Sequence, residues 1–347
     1  MHTPDFTMAD SVITRGLREN ACTAACVLCG QGDKVLHRRA FGRLSMEEDS
    51  PMTNEQTRFD IASITKPLVT GLLALRALEA GKLCLSDRLD TFFDAPDDKA
   101  AITIEQLLTH TAGFPGGVHL WEKTGDPMNA AQVILDLPLA CTPGARTIYG
   151  CAGYILLGQL LECLYNLELS ELAAQEIFWP LRMRRTGFNP QDGNIAATEM
   201  QDDGRCLQGI THDENTRFLG GVAGNSGVFS TMDDLALMLQ MLANEGKLPG
   251  GSQYLSPSTV RMALRDRGMG RSLLFQLPVL ERGYTGDLFP KETVGHTGFT
   301  GTSITLDPTT GFYAVLLTNR ICPSRDSTGI YRIRRLLHNA VYAAVGL

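Results

Sequence analysis

The chain has 347 residues, enough for about two structural units of ordinary size. Hydrophobic residues make up 44% and charged residues 20% of it. Both fractions are typical of a globular protein and exclude a disordered, collagen-like or coiled-coil chain. The formal net charge is -7, and no basic run provides the electrostatic surface of a nucleic-acid-binding protein. We therefore expect a folded protein that does not bind nucleic acid.

The nine cysteines are scattered along the chain. Their number is odd, so at least one has no partner within a monomer, and their spacing does not indicate a disulfide framework. No stretch approaches the roughly 18 apolar residues of a membrane-spanning helix. The only candidate secretory signal, residues 21–29, is weakly apolar and follows the acidic Glu19. These observations favour the cytoplasm and no association with a membrane.

The first predicted element is a β-hairpin. Residues 21–29 form an apolar run that is typical of a buried strand, and a turn is expected through residues 30–33. Cys22, Cys26 and Cys29 in this run could alternatively hold a metal ion, but no Cys-x-x-Cys or His-x-x-x-His pair lies nearby. A free cysteine packs as a small hydrophobic residue. The buried strand is therefore favoured, and we expect no metal site.

Helical periodicity dominates from residue 63 to about 245, and strand signals return near the end of the chain. The β-rich runs 300–306 and 312–319 are joined by the turn-rich link 307–311, a pattern typical of a hairpin. Residues 329–345 again have helical spacing. The sequence thus predicts a mixed α+β fold in which one antiparallel sheet is built from both ends of the chain and flanked by helices.

We expect one domain spanning 1–347 rather than two domains in series, because no internal repeat or low-complexity linker is present. Within it, a sheet subdomain is expected at about 10–62 plus 245–347. A large, mostly helical insertion is expected at about 63–244.

A serine and a lysine lie three residues apart at the start of a leucine-rich helix that ends at Gly81. Pro67 is tolerated only in the first helical turn, so the helix is expected to begin at about Ser63. Lys66 then projects from the same face as Ser63. A hydroxyl beside an amine can act as a nucleophile with its own base if burial lowers the pKa of the lysine toward neutrality. The alternative is a helix-capping serine with a solvated lysine.

Two further segments carry groups suited to catalysis. Tyr149 lies in a glycine-rich loop just before a predicted helix at 155–165, and His296-Thr297-Gly298-Phe299 opens the β-rich run at 300–306. Taken singly, Tyr149 could be a packed aromatic residue and His296 a histidine at a strand edge.

The order Ser-x-x-Lys, Tyr-x-x and His-Thr-Gly resembles that of the serine β-lactamase and penicillin-binding protein superfamily, specifically the class C β-lactamase-like branch with its DD-peptidases and esterases. Residues 59–66, 103–113, 177–181 and 220–224 also resemble habitual segments of this branch. The resemblance covers nearly the whole chain and implies the fold of that superfamily.

The resemblance implies a catalytic role for three side chains. Ser63 would attack a carbonyl and form an acyl-enzyme, while Lys66 and Tyr149 would exchange the proton. The backbone N–H groups of Ser63 and Phe299 would form an oxyanion hole, since such donors stabilise the charge that develops on the carbonyl oxygen. No cofactor and no metal ion are implied.

The same resemblance implies that Cys151, His296, Thr297 and Gly298 bind substrate. His296 replaces the lysine of the Lys-Thr-Gly form and is expected to be an electrostatic group that weakens above about pH 6.5. Cys151 stands where lactamases and DD-peptidases usually carry asparagine. A thiol is a weaker donor and acceptor than a carboxamide, which favours ester over β-lactam or peptide hydrolysis.

The expected function is therefore hydrolysis of a small-molecule ester, amide or β-lactam, with an esterase-like activity preferred. The alternatives are a β-lactamase or D-Ala-D-Ala carboxypeptidase, and a non-catalytic penicillin-binding or sensor protein. Residues 114–130 and 265–292 are expected at the mouth of the pocket.

Two further expectations concern residues outside the catalytic motifs. His110 is expected to be a structural histidine at a helix end, and Arg332, Arg334 and Arg335 are expected on the solvated face of the last helix.

Overall fold

The structure is a computed structural model that describes residues 4–278 and 284–347, so part of the expected pocket mouth, residues 279–283, lies outside the described residues. The strands of the described residues are β1 (Ala24–Gln31), β2 (Lys34–Gly42), β3 (Phe59–Asp60), β4 (Gly187–Phe188), β5 (Val228–Ser230), β6 (Val294–Thr297), β7 (Ser303–Asp307) and β8 (Phe312–Thr318).

The α-helices follow the same chain order. They are α1 (Thr7–Arg18), α2 (Leu72–Glu79), α3 (Asp97–Ala100), α4 (Ile104–Leu108), α5 (Leu120–Lys123), α6 (Ala130–Leu135), α7 (Ala152–Tyr165), α8 (Leu169–Ala173), α9 (Glu214–Phe218), α10 (Met232–Ala243), α11 (Pro257–Leu264) and α12 (Gly329–Val345). Short 3₁₀ turns lie at Ala62–Ile64, Leu89–Thr91 and Pro127–Asn129, and π-helical turns at Lys66–Gly71 and Ala174–Phe178.

The main sheet has five antiparallel strands in the order β2-β1-β8-β7-β6. Strands from the two ends of the chain lie side by side in it, with Ala25 opposite Thr318. The predicted hairpins β1–β2 and β7–β8 are both present. The predicted fold class, a sheet built from both ends of the chain and flanked by helices, is confirmed.

Strand β1 separates two hydrophobic cores because successive side chains of a strand point to opposite faces. Cys26 and Leu28 belong to the large core shared with the helical part. Val27 and Cys29 belong to a smaller core beneath α1 and α12. Burial raises the pKa of the Cys29 thiol to about 12. This cysteine therefore packs as a neutral hydrophobic residue, as the strand interpretation predicted.

Two features of the fold were not predicted. Helix α1 packs against α12, and its buried residues Ala9, Val12, Ile13 and Gly16 recur at helical spacing, a signal that sequence reasoning missed. A second, three-stranded sheet has the order β3-β5-β4, and only its strand β3 lies just before Ser63 in the chain. Two of its strands have only two residues, too few to produce a period-2 pattern.

The last helix was predicted correctly, but the exposure of one of its arginines was not. Arg334 is buried, and its Nη2 donates to the carbonyl oxygens of Gly301 (2.9 Å) and Thr302 (3.3 Å). Arg332 and Arg335 lie on the outer side of the helix, at least partly exposed to solvent. Arg334 therefore ties α12 to the turn between β6 and β7 instead of facing water.

No helix within the described ranges is both long and apolar enough to cross a membrane. The subdomain boundaries near residues 63 and 244 stay a prediction.

Candidate active site

The backbone before Ser63 is bent into an uncommon conformation. Ala62 has φ +46°, a value that residues other than glycine seldom adopt. Its N–H donates to Oδ1 of the buried Asp60 (2.8 Å), whose Oδ2 accepts the N–H of His212 (2.7 Å). These contacts hold the bend, and Ser63 is left half-buried at the floor of a cleft.

The Lys66 ammonium lies directly beneath Ser63 and is fully buried. Its Nζ donates to Ser63 Oγ at 3.1 Å and to the carbonyl oxygen of Asn225 at 3.1 Å. The Cys151 sulfur lies 3.9 Å away. The segment that carries Lys66 begins with a 3₁₀ turn and continues as a π-helix. The predicted helix therefore starts near Ser63, as expected, but its first turns are not α-helical.

The pKa of Lys66 is raised above its ordinary value. Burial lowers the pKa, but Cys151, Tyr149 and Asp213 together raise it by more. The expectation that burial brings this lysine toward neutrality is therefore wrong for the free protein. Its partners hold the side chain as an ammonium ion at neutral pH.

Tyr149 projects from the loop before α7 and is 40% exposed. Its ring centroid lies 5.1 Å from Lys66 Nζ and 5.1 Å from Cζ of Arg271. His110, with a ring centroid 4.6 Å away, supports this loop, since its carbonyl oxygen accepts the N–H of Ile148 at 2.9 Å. Burial holds the pKa of His110 well below its ordinary value, which is consistent with a structural role.

His296 is buried in β6, with its ring centroid 5.9 Å from that of Tyr149. Its Nδ1 lies 2.9 Å from the Thr297 carbonyl oxygen, and because a carbonyl only accepts, Nδ1 carries the proton. Burial, together with the charges of Arg271 and Lys66, lowers the pKa of His296 to about 3. The expectation that it is a cation below about pH 6.5 is therefore wrong, and the residue is neutral at physiological pH.

Gly298 brings β6 close to the turn that carries Ser63. A Cβ at this position would collide with the Thr302 hydroxyl and with the carbonyl oxygen of Ile61, so only glycine fits. The N–H of Phe299, one residue further on, has no acceptor among the described residues. It is therefore available to a carbonyl oxygen in the cleft.

The ring of Phe299 is held between two side chains. His212 stacks on one side with ring centroids 5.5 Å apart, and Arg320 Cζ lies 4.7 Å from the ring centroid. Arg320 Nε also donates to the Phe299 carbonyl oxygen at 2.8 Å. These contacts fix both the backbone and the side chain of Phe299.

A buried cation that the sequence did not indicate also faces the cleft. Arg271 is only 8% exposed, and its guanidinium makes no hydrogen bond or ion pair with any residue that the structure describes. Burial lowers its pKa, yet a guanidinium remains charged at neutral pH. Arg271 lies between Gly270 and Ser272 in the sequence, with no spacing that relates it to the other motifs.

All eight predicted site residues meet at one cleft of about 590 Å³. Seven of them line it, and Lys66 lies beneath Ser63. Sequence reasoning missed several lining residues, although four consecutive polar residues at 212–215 could have been noticed. The lining side chains outside the predicted motifs include His212, Asp213, Glu214, Ser226, Arg271, Gln276, Arg320, Arg325 and Arg334.

The described residues include no group of side chains that could ligate a metal ion. Within residues 4–278 and 284–347, no three His, Cys, Asp or Glu side chains are grouped closely enough to hold a metal ion.

Comparison with other sequences gives relatives along most of the chain. A relative from Escherichia coli K12, provisionally named D-alanyl-D-alanine carboxypeptidase, is 29% identical over 331 residues, which cover 83% of this chain and 76% of the relative. An N-acetylmuramyl-L-alanine amidase from Bacillus subtilis 168 is 28% identical over 363 residues and covers 90% of this chain and 80% of its own.

Solved structures share the fold at lower identity. EstCE1, a hydrolase with promiscuous acyltransferase activity, superposes with a TM-score of 0.78 at 22% identity and covers 96% of this chain and 97% of its own. A penicillin-binding protein homologue from Caulobacter crescentus also gives 0.78, at 19% identity and 99% coverage of both chains.

These structural likenesses show the fold alone. The sequence profile of the Beta-lactamase family matches residues 9–338, which include every predicted site residue. The resemblance seen in the motifs is thereby confirmed, and the chain belongs to the Beta-lactamase family.

Proposed function

We propose that the protein is a serine hydrolase that forms an acyl-enzyme on Ser63 with a small ester or amide. The observation that carries this proposal is the 3.1 Å contact between Lys66 Nζ and Ser63 Oγ at the floor of the cleft. Tyr149 and the unoccupied N–H of Phe299 face the same space. In this proposal Ser63 is the nucleophile, Lys66 and Tyr149 are the proton-transfer pair, and the Phe299 N–H is an oxyanion donor.

The reaction begins with attack of Ser63 Oγ on the carbonyl carbon. In its active form the Lys66–Tyr149 pair has lost one proton. The group that lost it accepts the proton of the Ser63 hydroxyl. The pair then returns this proton to the leaving oxygen or nitrogen. Water attacks the acyl-enzyme in the second half, and the proton it loses passes through the pair back to Ser63 Oγ.

Two features of the site support this course. The Lys66 ammonium beside Ser63 Oγ stabilises negative charge as the serine proton departs. The N–H groups of Ser63 and Phe299 would stabilise the oxyanion, a contribution of about 3 kcal/mol per donor in comparable sites. Burial raises the pKa of Cys151, so it faces the substrate as a neutral, weakly polar thiol, which favours esters over amides.

Replacement of Ser63 tests the proposal. We expect Ser63→Ala to abolish both hydrolysis of a chromogenic ester and labelling by a fluorophosphonate probe, because the attacking oxygen is removed. The control is Ser11→Ala, which removes an exposed hydroxyl from α1 and should leave both readouts unchanged. Turnover or labelling by Ser63→Ala would contradict the assignment of the nucleophile.

A second candidate, release of the C-terminal residue of a peptide such as D-Ala-D-Ala, is favoured by Arg271. A buried guanidinium without an ion-pair partner is unfavourable until an anion pairs with it. A substrate with a free carboxylate would supply that anion. The Escherichia coli relative, provisionally named for this carboxypeptidase activity, supports the same candidate.

Arg271→Gln separates the two candidates. If Arg271 binds a substrate carboxylate, kcat/KM should fall about tenfold to hundredfold for an N-acyl-D-Ala-D-Ala peptide, as expected for a charge-assisted hydrogen bond. Cleavage of an uncharged phenyl ester should change by less than about threefold. Arg265→Gln, which alters an exposed arginine nearby, is the control. Equal losses on both substrates would show that Arg271 does not recognise a carboxylate.

A further inference from the structure

We propose that Asp213 is a positioning residue that holds Lys66 in place through Asn225. The inference rests on the proposed function, in which Lys66 is part of the proton-transfer pair. It concerns a segment, residues 212–215, that none of the catalytic motifs includes.

Asn225 joins Asp213 to Lys66 through its two ends. The residue is fully buried, and its backbone carbonyl oxygen accepts the hydrogen bond from Lys66 Nζ at 3.1 Å. Its side-chain Nδ2 donates to Asp213 Oδ1 at 3.1 Å. A displacement of the Asn225 side chain would therefore move the carbonyl that holds Lys66.

Asp213 is itself firmly held. It precedes α9 as the capping residue, and its Oδ1 accepts the N–H of Thr216 at 2.9 Å and the Thr216 hydroxyl at 2.8 Å. The preceding residue, His212, donates its N–H to the Asp60 carboxylate that stabilises the bend before Ser63. Adjacent residues of one segment thus support the nucleophile and its lysine.

The charge of Asp213 acts on the same ammonium. A buried ammonium is stable only where opposite charge or acceptors compensate for its lost hydration. Asp213 is the carboxylate among the described groups that face Lys66, and its negative charge raises the pKa of Lys66. The others, on the surrounding loop, helices and strand, are Tyr149, Cys151, Tyr154, His110 and His296.

Asp213→Asn removes the charge and preserves the helix cap, because asparagine caps as well as aspartate. We expect the pH at which Lys66 loses its proton to fall by about one unit or more. We also expect kcat for ester hydrolysis to fall about tenfold or more with little change in KM, because the ammonium beside Ser63 is less well held. Asp213→Ser, a second uncharged cap, should behave in the same way.

The lysine titration is measured by NMR on protein labelled with ¹³C at lysine Cε, with Lys66→Arg to assign the signal. Asp126→Asn is the matched control, since Asp126 also caps a short helical turn, accepting the Met128 N–H at 2.9 Å, but contacts neither Asn225 nor Lys66. Circular dichroism verifies that each variant is folded.

The titration and the catalytic assay report on different proposals. A Lys66 titration that is unchanged in both folded Asp213 variants overturns the positioning role, whatever their activity. Hydrolysis retained by Ser63→Ala overturns the proposed function instead, while the positioning role is still decided by the lysine titration in the Asp213 variants. A shift as large in Asp126→Asn as in Asp213→Asn would also overturn the positioning role, since the effect would not be specific to the contact with Asn225.

Discussion

His296 and His338 are among the described histidines that burial keeps in the neutral form. His338 on α12 is fully buried beside Phe289, and burial together with the charge of Arg334 lowers its pKa to about 3. His296 in the cleft has a pKa of about 3 for similar reasons. An unfolded chain would bind a proton at each position below about pH 6.5. Stability from both residues is therefore present above that pH and is lost progressively toward pH 3.

His338→Phe should reduce the sensitivity of the protein to acid. A pH of 5 lies about 1.5 units below the pKa of an unfolded histidine, which corresponds to about 2 kcal/mol of lost stability. The free energy of unfolding, measured in urea, should fall between pH 7.5 and pH 5 in both proteins. The fall should be smaller in the variant than in the natural protein, by about 2 kcal/mol.

The control for this experiment is His119→Phe, which replaces an exposed histidine. The acid-induced loss that comes from His338 should remain in this variant. The same acid-induced loss in His338→Phe as in the natural protein would contradict the assignment of a buried neutral imidazole.

At the residue scale, the spacing of residues in the sequence predicted contacts in the site but not the charges of its side chains. The contact of Ser63 with Lys66 followed from a separation of three residues on one helical turn. The charge of Lys66 did not, because it depends on Cys151, Tyr149 and Asp213, which arrive from distant segments. The neutrality of His296 likewise depends on Arg271 and on burial, neither of which a motif contains.

At the scale of elements, Arg334 on α12 fastens the turn between β6 and β7. That turn contains the last residues of the His-Thr-Gly-Phe segment. Removing the guanidinium would leave the carbonyl oxygens of Gly301 and Thr302 without these donors. An unsatisfied buried acceptor costs about 1 to 3 kcal/mol.

Arg334→Met should therefore lower the free energy of unfolding by about 2 kcal/mol or more. Arg332→Met, at an exposed position of the same helix, should change it by less than about 0.5 kcal/mol. Urea unfolding of both variants measures the difference. Equal small effects would show that the buried hydrogen bonds of Arg334 do not stabilise the turn.

The burial of Arg334 could have been predicted from helix geometry. Residues two apart on a helix are separated by about 200°, so Arg332 and Arg334 face opposite sides. Arg334 follows Ile330 by four residues and precedes His338 by four, and both of these are buried. The error came from grouping arginines by proximity in the sequence instead of by helical position.

At the scale of the whole molecule, long patterned elements determined what could be predicted. The main sheet was foreseeable because the runs at its core strands are long, apolar and bounded by turns. The small β3-β5-β4 sheet was not, because pairing of such short strands is decided by tertiary contacts. The residues that meet in the cleft come from separate stretches of the chain, so only the family's motif order brought them together before the structure was known.

The junction of the two chain ends in one sheet has a consequence for synthesis. The Ala24 N–H bonds to Asn319 Oδ1, 295 residues further along. At about 5 to 20 residues per second, a ribosome needs about 15 to 60 s to travel that distance. Until then β1, which is apolar on both faces, has an open edge that can pair with other chains. The nascent protein is therefore most prone to aggregate through its first hairpin, and a chaperone that covers this edge would improve its yield.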